Sequence, residues 1–338
     1  MNEYLFSSNH KNENDVLREP TISEVYKARE IVSRHLLRTP FFRSMKLSNA
    51  LGFDAYVKYE NLQITGAFKV RGGVNLMASL SEEERRRGVA TASTGNHGQS
   101  IAYAAKLFGV NAIIAMPEAS NPLKVEAIQR LGGDVVFHGK DFDEARVWIE
   151  KASKREGYRY VHSGNEPLLI SGVGTLYLEI LEDEPDIDTI IVPIGGGSGA
   201  SAACIVAKHV NPEVRVVGVQ AMKASSVYHS WKSRKWVETE SANTFAEGLA
   251  TRAPFQLPLQ IMRRMLDDFV LVSEEEIQSA VLTLFETTHQ VAEGAGAAST
   301  AAAFKIKNQL KNRKVGLILS GGNLNLNQLK TILQIDKS

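Results

Sequence analysis

From Val89 onward, short and continuously apolar runs alternate with stretches whose apolar residues recur every three or four positions. Residues 89–92 predict a strand, and 99–108 a helix with Ile101, Ala104, Ala105 and Phe108 on one face. A second buried strand is predicted over 110–116, ended by Pro117. A helix over 122–131 closes at Gly132-Gly133, and a strand follows over 135–137. The pattern continues with a helix over 141–156, the short run Tyr160-Val161-His162, a helix over 173–181 and a strand over 189–193. A helix over 200–208, a strand over 214–219 and a late strand over 315–319 complete it. Strands that are apolar throughout, rather than alternating, are covered on both faces. The fold class expected is therefore α/β, with mostly parallel strands, helices on both faces, and enough units for two open sheets rather than one.

Composition narrows the partners. A chain of 338 residues suits one or two domains. Its 39 Lys and Arg nearly cancel its 38 Asp and Glu, so no basic field is present to attract nucleic acid. No apolar run approaches the ~20 residues of a membrane-crossing helix. Residues 1–20 are polar, lack the apolar stretch of a secretory signal and read as a loose leader. Cys204 is the only cysteine, which excludes an intramolecular disulfide and a multi-cysteine metal site. A cytoplasmic protein without membrane or nucleic-acid partners is the expectation. Only a short tail follows Gly322, and no regulatory domain is expected after it.

Four short segments carry chemistry. The first is Thr65-Gly66-Ala67-Phe68-Lys69-Val70-Arg71-Gly72-Gly73. An isolated lysine is ordinarily a solvated surface group. Lys69 instead has apolar neighbours and glycines that allow close approach, and a desolvated amine is neutral more often and able to form a Schiff base. Arg71 fits a structural ion pair and is given no catalytic role. The second segment, Ser93-Thr94-Gly95-Asn96-His97-Gly98, lies between a strand and a helix. Backbone N–H groups at a helix start form a carboxylate or phosphate site, and an ordinary capped turn is the alternative. His97 is tempting as an acid-base group, but a lone histidine there is commonly a packed structural residue. Third, Gly195-Gly196-Gly197-Ser198-Gly199 frees the backbone to wrap a phosphate. Gly195, Gly197 and Ala200 also satisfy a loose dinucleotide pattern. That reading needs an acidic residue about 20 positions on, where the chain has Gln220. Last, Ser320-Gly321-Gly322-Asn323 offers a hydroxyl to a neutral pyridine nitrogen.

In order and spacing, these four segments resemble the fold-type II pyridoxal-phosphate enzymes, in particular the threonine/serine dehydratase group that includes serine racemase. The likeness runs from about residue 21 to the end. It implies a tryptophan synthase β-like fold with pyridoxal 5'-phosphate held on Lys69, Phe68 beside it and Asn96 at its phenolic oxygen. Gly195, Gly196, Gly197, Ser198 and Gly199 would surround the phosphate and Ser320 would meet the ring nitrogen, with Gly248 and Glu293 also lining the cofactor. Ser93, Thr94, Gly95, Asn96 and His97 would surround the substrate carboxylate. Residues 21–62 and 160–338 would form a large cofactor domain, and 63–159 a small domain.

The implied reaction is elimination of water and ammonia from a β-hydroxy amino acid, L-threonine or L-serine first, with Lys69 taking the Cα proton. Thr94 stands where racemases carry a serine that serves the opposite face of Cα, which gives it a candidate catalytic role. An unusual hydroxy amino acid (hydroxyaspartate, phenylserine or one derived from hydroxyectoine) is the alternative substrate, and serine racemase an alternative activity. O-acetylserine sulfhydrylases generally have threonine where His97 stands. From another class, a nicotinamide-dependent oxidoreductase would leave Lys69 and Ser320 without a purpose, and a binding protein without catalysis is the last alternative. Gln220 and Ser226 stand where related metal sites carry carboxylates, so no metal is expected. The resemblance further implies a homodimer or homotetramer, and a catabolic enzyme without a sensing domain.

Overall fold

The structure is a computed structural model that describes residues 17–334. Its strands are β1 (Phe41–Arg43), β2 (Asp54–Tyr59), β3 (Val89–Ala92), β4 (Ala112–Met116), β5 (Asp134–Phe137), β6 (Arg159–Tyr160), β7 (Thr189–Pro193), β8 (Arg215–Ala221), β9 (Asp268–Val272) and β10 (Lys314–Leu319). They form two sheets, one six-stranded in the order β1-β2-β10-β7-β8-β9 and one four-stranded in the order β5-β4-β3-β6. Every pairing is parallel except β1 with β2. β6 pairs with β3 through Val89 and Arg159, so the smaller sheet keeps Tyr160.

The continuous apolar strands are explained by cover on both faces. Successive side chains of a strand point to opposite sides. In the larger sheet Ile191, Val217, Val219, Leu317 and Leu319 share a core with the helix Gly294–Lys305, while Ile190, Val192, Val216 and Ile318 pack against the helix Ser198–Val210. In the smaller sheet Val89, Ile114 and Met116 face the helix Asn96–Phe108. Ala90, Ala92 and Ala115 face Ala145 and Ile149 of the helix Phe142–Glu156. The helix Lys69–Ala78 packs against both Asn96–Phe108 and Pro167–Asp183, which joins the two sheets into one body.

Several boundaries differ from the expectation. The helix expected from 99 begins at Asn96, with Gly95 as its N-terminal cap. The strand expected from 110 begins at Ala112; the Val110 N–H is spent on the Ala105 carbonyl in the turn around Gly109. The helix expected from 173 begins at Pro167, a residue suited to a first helical position where no N–H is needed. β8 runs on to Ala221, so Gln220 lies inside it, fully buried, with Oε1 accepting from Tyr228 N–H. Residues 1–16 of the expected leader lie outside the described residues. Leu17 and Glu19 are bound by Gln260, and Glu19 also by Arg264, so this end of the leader is tied down rather than loose. Among the described residues no helix is long and apolar enough to cross a membrane.

Candidate active site

Strand ends and helix starts bring the four segments together. Lys69 is the first residue of its helix, and its Nζ donates to Ser198 Oγ at 2.7 Å, 129 residues away in sequence. The loop before it is clamped to the last segment: Phe68 N–H donates to the Ser320 carbonyl at 3.0 Å, and Gly322 N–H to the Gly66 carbonyl at 2.9 Å. Ser100 Oγ, on the helix that follows the second segment, donates to the Lys69 carbonyl at 2.7 Å. Asn96 Nδ2 donates to Glu293 Oε1 at 2.8 Å, and Asn96 Oδ1 accepts from Asn323 Nδ2 at 2.7 Å.

The glycine segment leaves β7 and enters the helix Ser198–Val210. Gly197 caps that helix with φ = +91°, a left-handed conformation that side chains resist. A Cβ at Gly195 would collide with the Gly248 carbonyl oxygen, and one at Gly196 would stand 2.5 Å from the Phe255 ring. The loop therefore has backbone room and no side-chain room, and the first N–H groups of the helix open at its mouth. Gly248 lies against Gly195, and a Cβ on it would come within 3.9 Å of Glu293 Oε1. The Phe68 ring packs 5.1 Å from Lys69 Nζ.

Burial governs the electrostatics. Part of Lys69 is open to the cleft, yet the protein around its ammonium lowers its pKa from 10.5 to about 8. Burial pushes Glu293 up to about 7, with the Asn96 hydrogen bond acting the other way. Burial, aided by the nearby Lys69 charge, lowers His97 to about 3 and keeps the ring neutral. Its tautomer follows from its partners. Thr91 Oγ1 donates to the Val161 carbonyl at 2.7 Å, so the 3.0 Å contact with His97 Nε2 has the ring donating. Ser93 Oγ accepts from Gly95 and Gly98 N–H at 3.2 and 2.8 Å, which shapes the loop. Thr94 is half-buried, and its hydroxyl has no partner among the described residues. The same is true of the Ser320 hydroxyl, in a residue only 4% exposed.

Residues 32–321 match the pyridoxal-phosphate dependent enzyme family. The chain belongs to that family. It is 40% identical to the L-threonine ammonia-lyase of Thermotoga maritima over 313 residues, 93% of this chain and 78% of that protein. It is 36% identical to a catabolic L-threonine dehydratase of Staphylococcus aureus, over 93% of this chain and 92% of that one. Among solved structures, maize serine racemase superposes with a TM-score of 0.88 at 31% identity, covering 94% of this chain and 97% of that chain. The processed form of threonine deaminase isoform 2 from Solanum lycopersicum gives 0.87 at 31% identity, covering 94% and 91%.

The chemistry of the donor set fits the family's cofactor. An amine of lowered pKa suits an aldehyde, a glycine loop at a helix start suits a phosphate, and an unpartnered buried hydroxyl suits a ring nitrogen. The protein is thus a pyridoxal-phosphate-dependent lyase of α/β architecture.

Some residues of the site were not read from the sequence. Phe255 lies over Gly196 and meets the His162 ring edge-on at 4.8 Å. His162 Nδ1 accepts from the N–H groups of Gly164 and Asn165, and Asn165 Oδ1 from Leu257 N–H. Phe255 is a lone aromatic at the N-cap of the helix Gln256–Met265, and no local pattern points to it. Arg71 is the buried ion-pair residue that its surroundings suggested, forked between Glu60 and Glu179. Among the described residues no three His, Cys, Asp or Glu side chains form a group able to hold a metal ion.

Proposed function

We propose that the protein is an ammonia-lyase for L-threonine, with L-serine as the second substrate, releasing a 2-oxo acid and ammonia. The observation that carries this reading is the Lys69 amine, of lowered pKa, set 2.7 Å from Ser198 at the mouth of the glycine loop. The threonine ammonia-lyases and dehydratases to which the chain is 36–40% identical support the choice of substrate.

When bound, pyridoxal phosphate supplies an electron-withdrawing ring conjugated to the substrate nitrogen. The chain's own residues do the rest. Lys69 holds the cofactor, and its freed amine takes the Cα proton at Nζ. Gly195, Gly196, Gly197, Ser198 and Gly199 hold the phosphate, Ser320 the ring nitrogen, and Asn96 the phenolic oxygen. Phe68, Gly248 and Glu293 line the ring. The segment Ser93, Thr94, Gly95, Asn96 and His97 receives the substrate carboxylate, with neutral His97 fixed by Thr91 as part of the wall. The Thr94 hydroxyl faces the question of stereochemistry, since a proton donor on the second face of Cα would permit racemisation. We assign residues 21–62 and 160–338 to a cofactor domain, 63–159 to a smaller domain, and the enzyme to the cytoplasm as a homodimer or homotetramer.

The test is 2-oxo acid release from L and D forms of threonine, serine, phenylserine and hydroxyaspartate by wild type and Lys69→Ala. Release from L-threonine, reduced about a thousandfold or more in the variant, is expected. No release from any substrate, with cofactor bound, would sink the lyase reading. Because Gln220 and Ser226 offer no carboxylate, activity after dialysis against a chelator stays unchanged; a requirement for magnesium would refute the metal-free assignment.

A further inference from the structure

Asn323 ends the Ser320-to-Asn323 turn and has no part in the roles given above. Its Nδ2 donates to the Thr65 carbonyl at 2.9 Å and to Asn96 Oδ1 at 2.7 Å. A main-chain carbonyl only accepts, so the end of Asn323 that faces Thr65 is its NH2 group. The Asn96 atom that meets the same NH2 group is then its oxygen, which turns the Asn96 NH2 group the other way, toward Glu293 Oε1 at 2.8 Å. A carbonyl in the loop before Lys69 thus dictates, through one intermediary, which end of Asn96 faces Glu293. The fit of that intermediary is tight. Gly66, next to Thr65, has φ = +69°, and a Cβ there would lie 2.5 Å from Asn323 Oδ1.

We infer that Asn323 is a positioning residue that keeps the donor end of Asn96 turned toward Glu293 and the cofactor ring. The inference rests on the assignment of Asn96 to the ring's phenolic oxygen. That oxygen is negatively charged and needs a donor. An acceptor at position 323 would reverse the chain of bonds. Asn96 would donate to it and present its own oxygen to the ring oxygen, so a hydrogen bond would become a repulsion.

The experiment titrates pyridoxal phosphate into apoprotein carrying Asn323→Asp or Asn323→Ala and follows the visible absorption of the bound cofactor. The Asp variant, matched in size, is expected to bind about tenfold more weakly or worse and to shift the band, because the ring oxygen loses a donor to its charge. The Ala variant frees Asn96 without inverting it, so its loss is smaller. In an Asn96→Ala background the Asp substitution keeps only the loss that comes from its repulsion with the Thr65 carbonyl, and the band shift that runs through Asn96 disappears. An Asp variant that matches wild type, equal losses in Asp and Ala with an unmoved band, or a loss and band shift undiminished in the Asn96→Ala background would each overturn the inference. A wild-type protein that takes up no cofactor would sink the site assignment itself, a separate and recognisable failure.

Discussion

Lys69 shows how a residue's role is made by its neighbours. Its amine is flanked by the Phe68 ring and hydrogen-bonded to Ser198, and burial lowers its pKa to about 8. An amine must lose its proton before it can attack an aldehyde. The rate of cofactor capture by apoprotein therefore rises with pH through a midpoint near 8, which stopped-flow absorbance across a pH series would read. A midpoint at the ordinary lysine value would show that the amine is solvated instead. The lysine and its glycine neighbours were legible in the sequence, because an apolar setting and chain flexibility are local properties. Its partner was not. Ser198 lies 129 residues away, and only the fold closes that distance.

The helix Lys69–Ala78 is anchored from within by a balanced set of charges. Arg71 donates from Nε and Nη2 to Glu60, and from Nη1 and Nη2 to Glu179, at 2.7–2.8 Å. Lys58, on β2, donates to Glu179 Oε2 at 2.5 Å and to the Thr39 carbonyl at 2.8 Å. Burial opposes ionisation of Glu60, but the Arg71 guanidinium, with the Lys58 charge and the Thr39 hydroxyl, more than offsets it and holds the carboxyl below its ordinary range. Two cations and two carboxylates out of water are stable only as a set. Arg71→Met would strand two buried carboxylates beside one lysine and cost about 3–5 kcal/mol of stability, measurable by urea unfolding of apoprotein. A variant unfolding like wild type would show that the cluster is solvated. The sequence suggested that Arg71 is an ion-pair residue but gave neither partner, since Glu179 lies 108 positions on in another helix.

At the scale of the whole molecule, two buried histidines beside the smaller sheet ionise badly where they lie. His97 and His162 are held by burial at about 3 and 4, and the charges of Lys69 and Arg146 respectively add to the effect. The unfolded chain takes a proton on each near pH 6.5, while the folded chain refuses it until far lower. The unfolded state thus binds more protons over that window. Stability is full above about pH 7 and falls as the pH drops toward 4, by roughly 1.4 kcal/mol per histidine per pH unit. A protonated His162 could no longer accept from Gly164 and Asn165 through Nδ1. Urea midpoints between pH 7 and 5 (about, to span the titration) should decline steeply in wild type and less so in His162→Gln. Parallel slopes in the two proteins would remove His162 from the account.

The alternation of buried strands and helices, the two-sheet class and the four segments of the candidate site were legible in the chain alone. Each is written in short-range terms: continuous apolar runs, helix-start residues and glycines. The strands β1, β2 and β9 were not read: β1 has three partly exposed residues, β2 alternates buried and partly buried positions at its start instead of forming a continuous apolar run, and its burial depends on β10 arriving from the far end of the chain. Tertiary structure alone decided which groups meet. It laid Phe255 over Gly196, forked Arg71 between two distant carboxylates, and turned Asn96 toward Glu293 across 197 residues. A hydrogen bond or an ion pair has no signature in the spacing of its two residues, since its geometry exists only after the hydrophobic layers have packed.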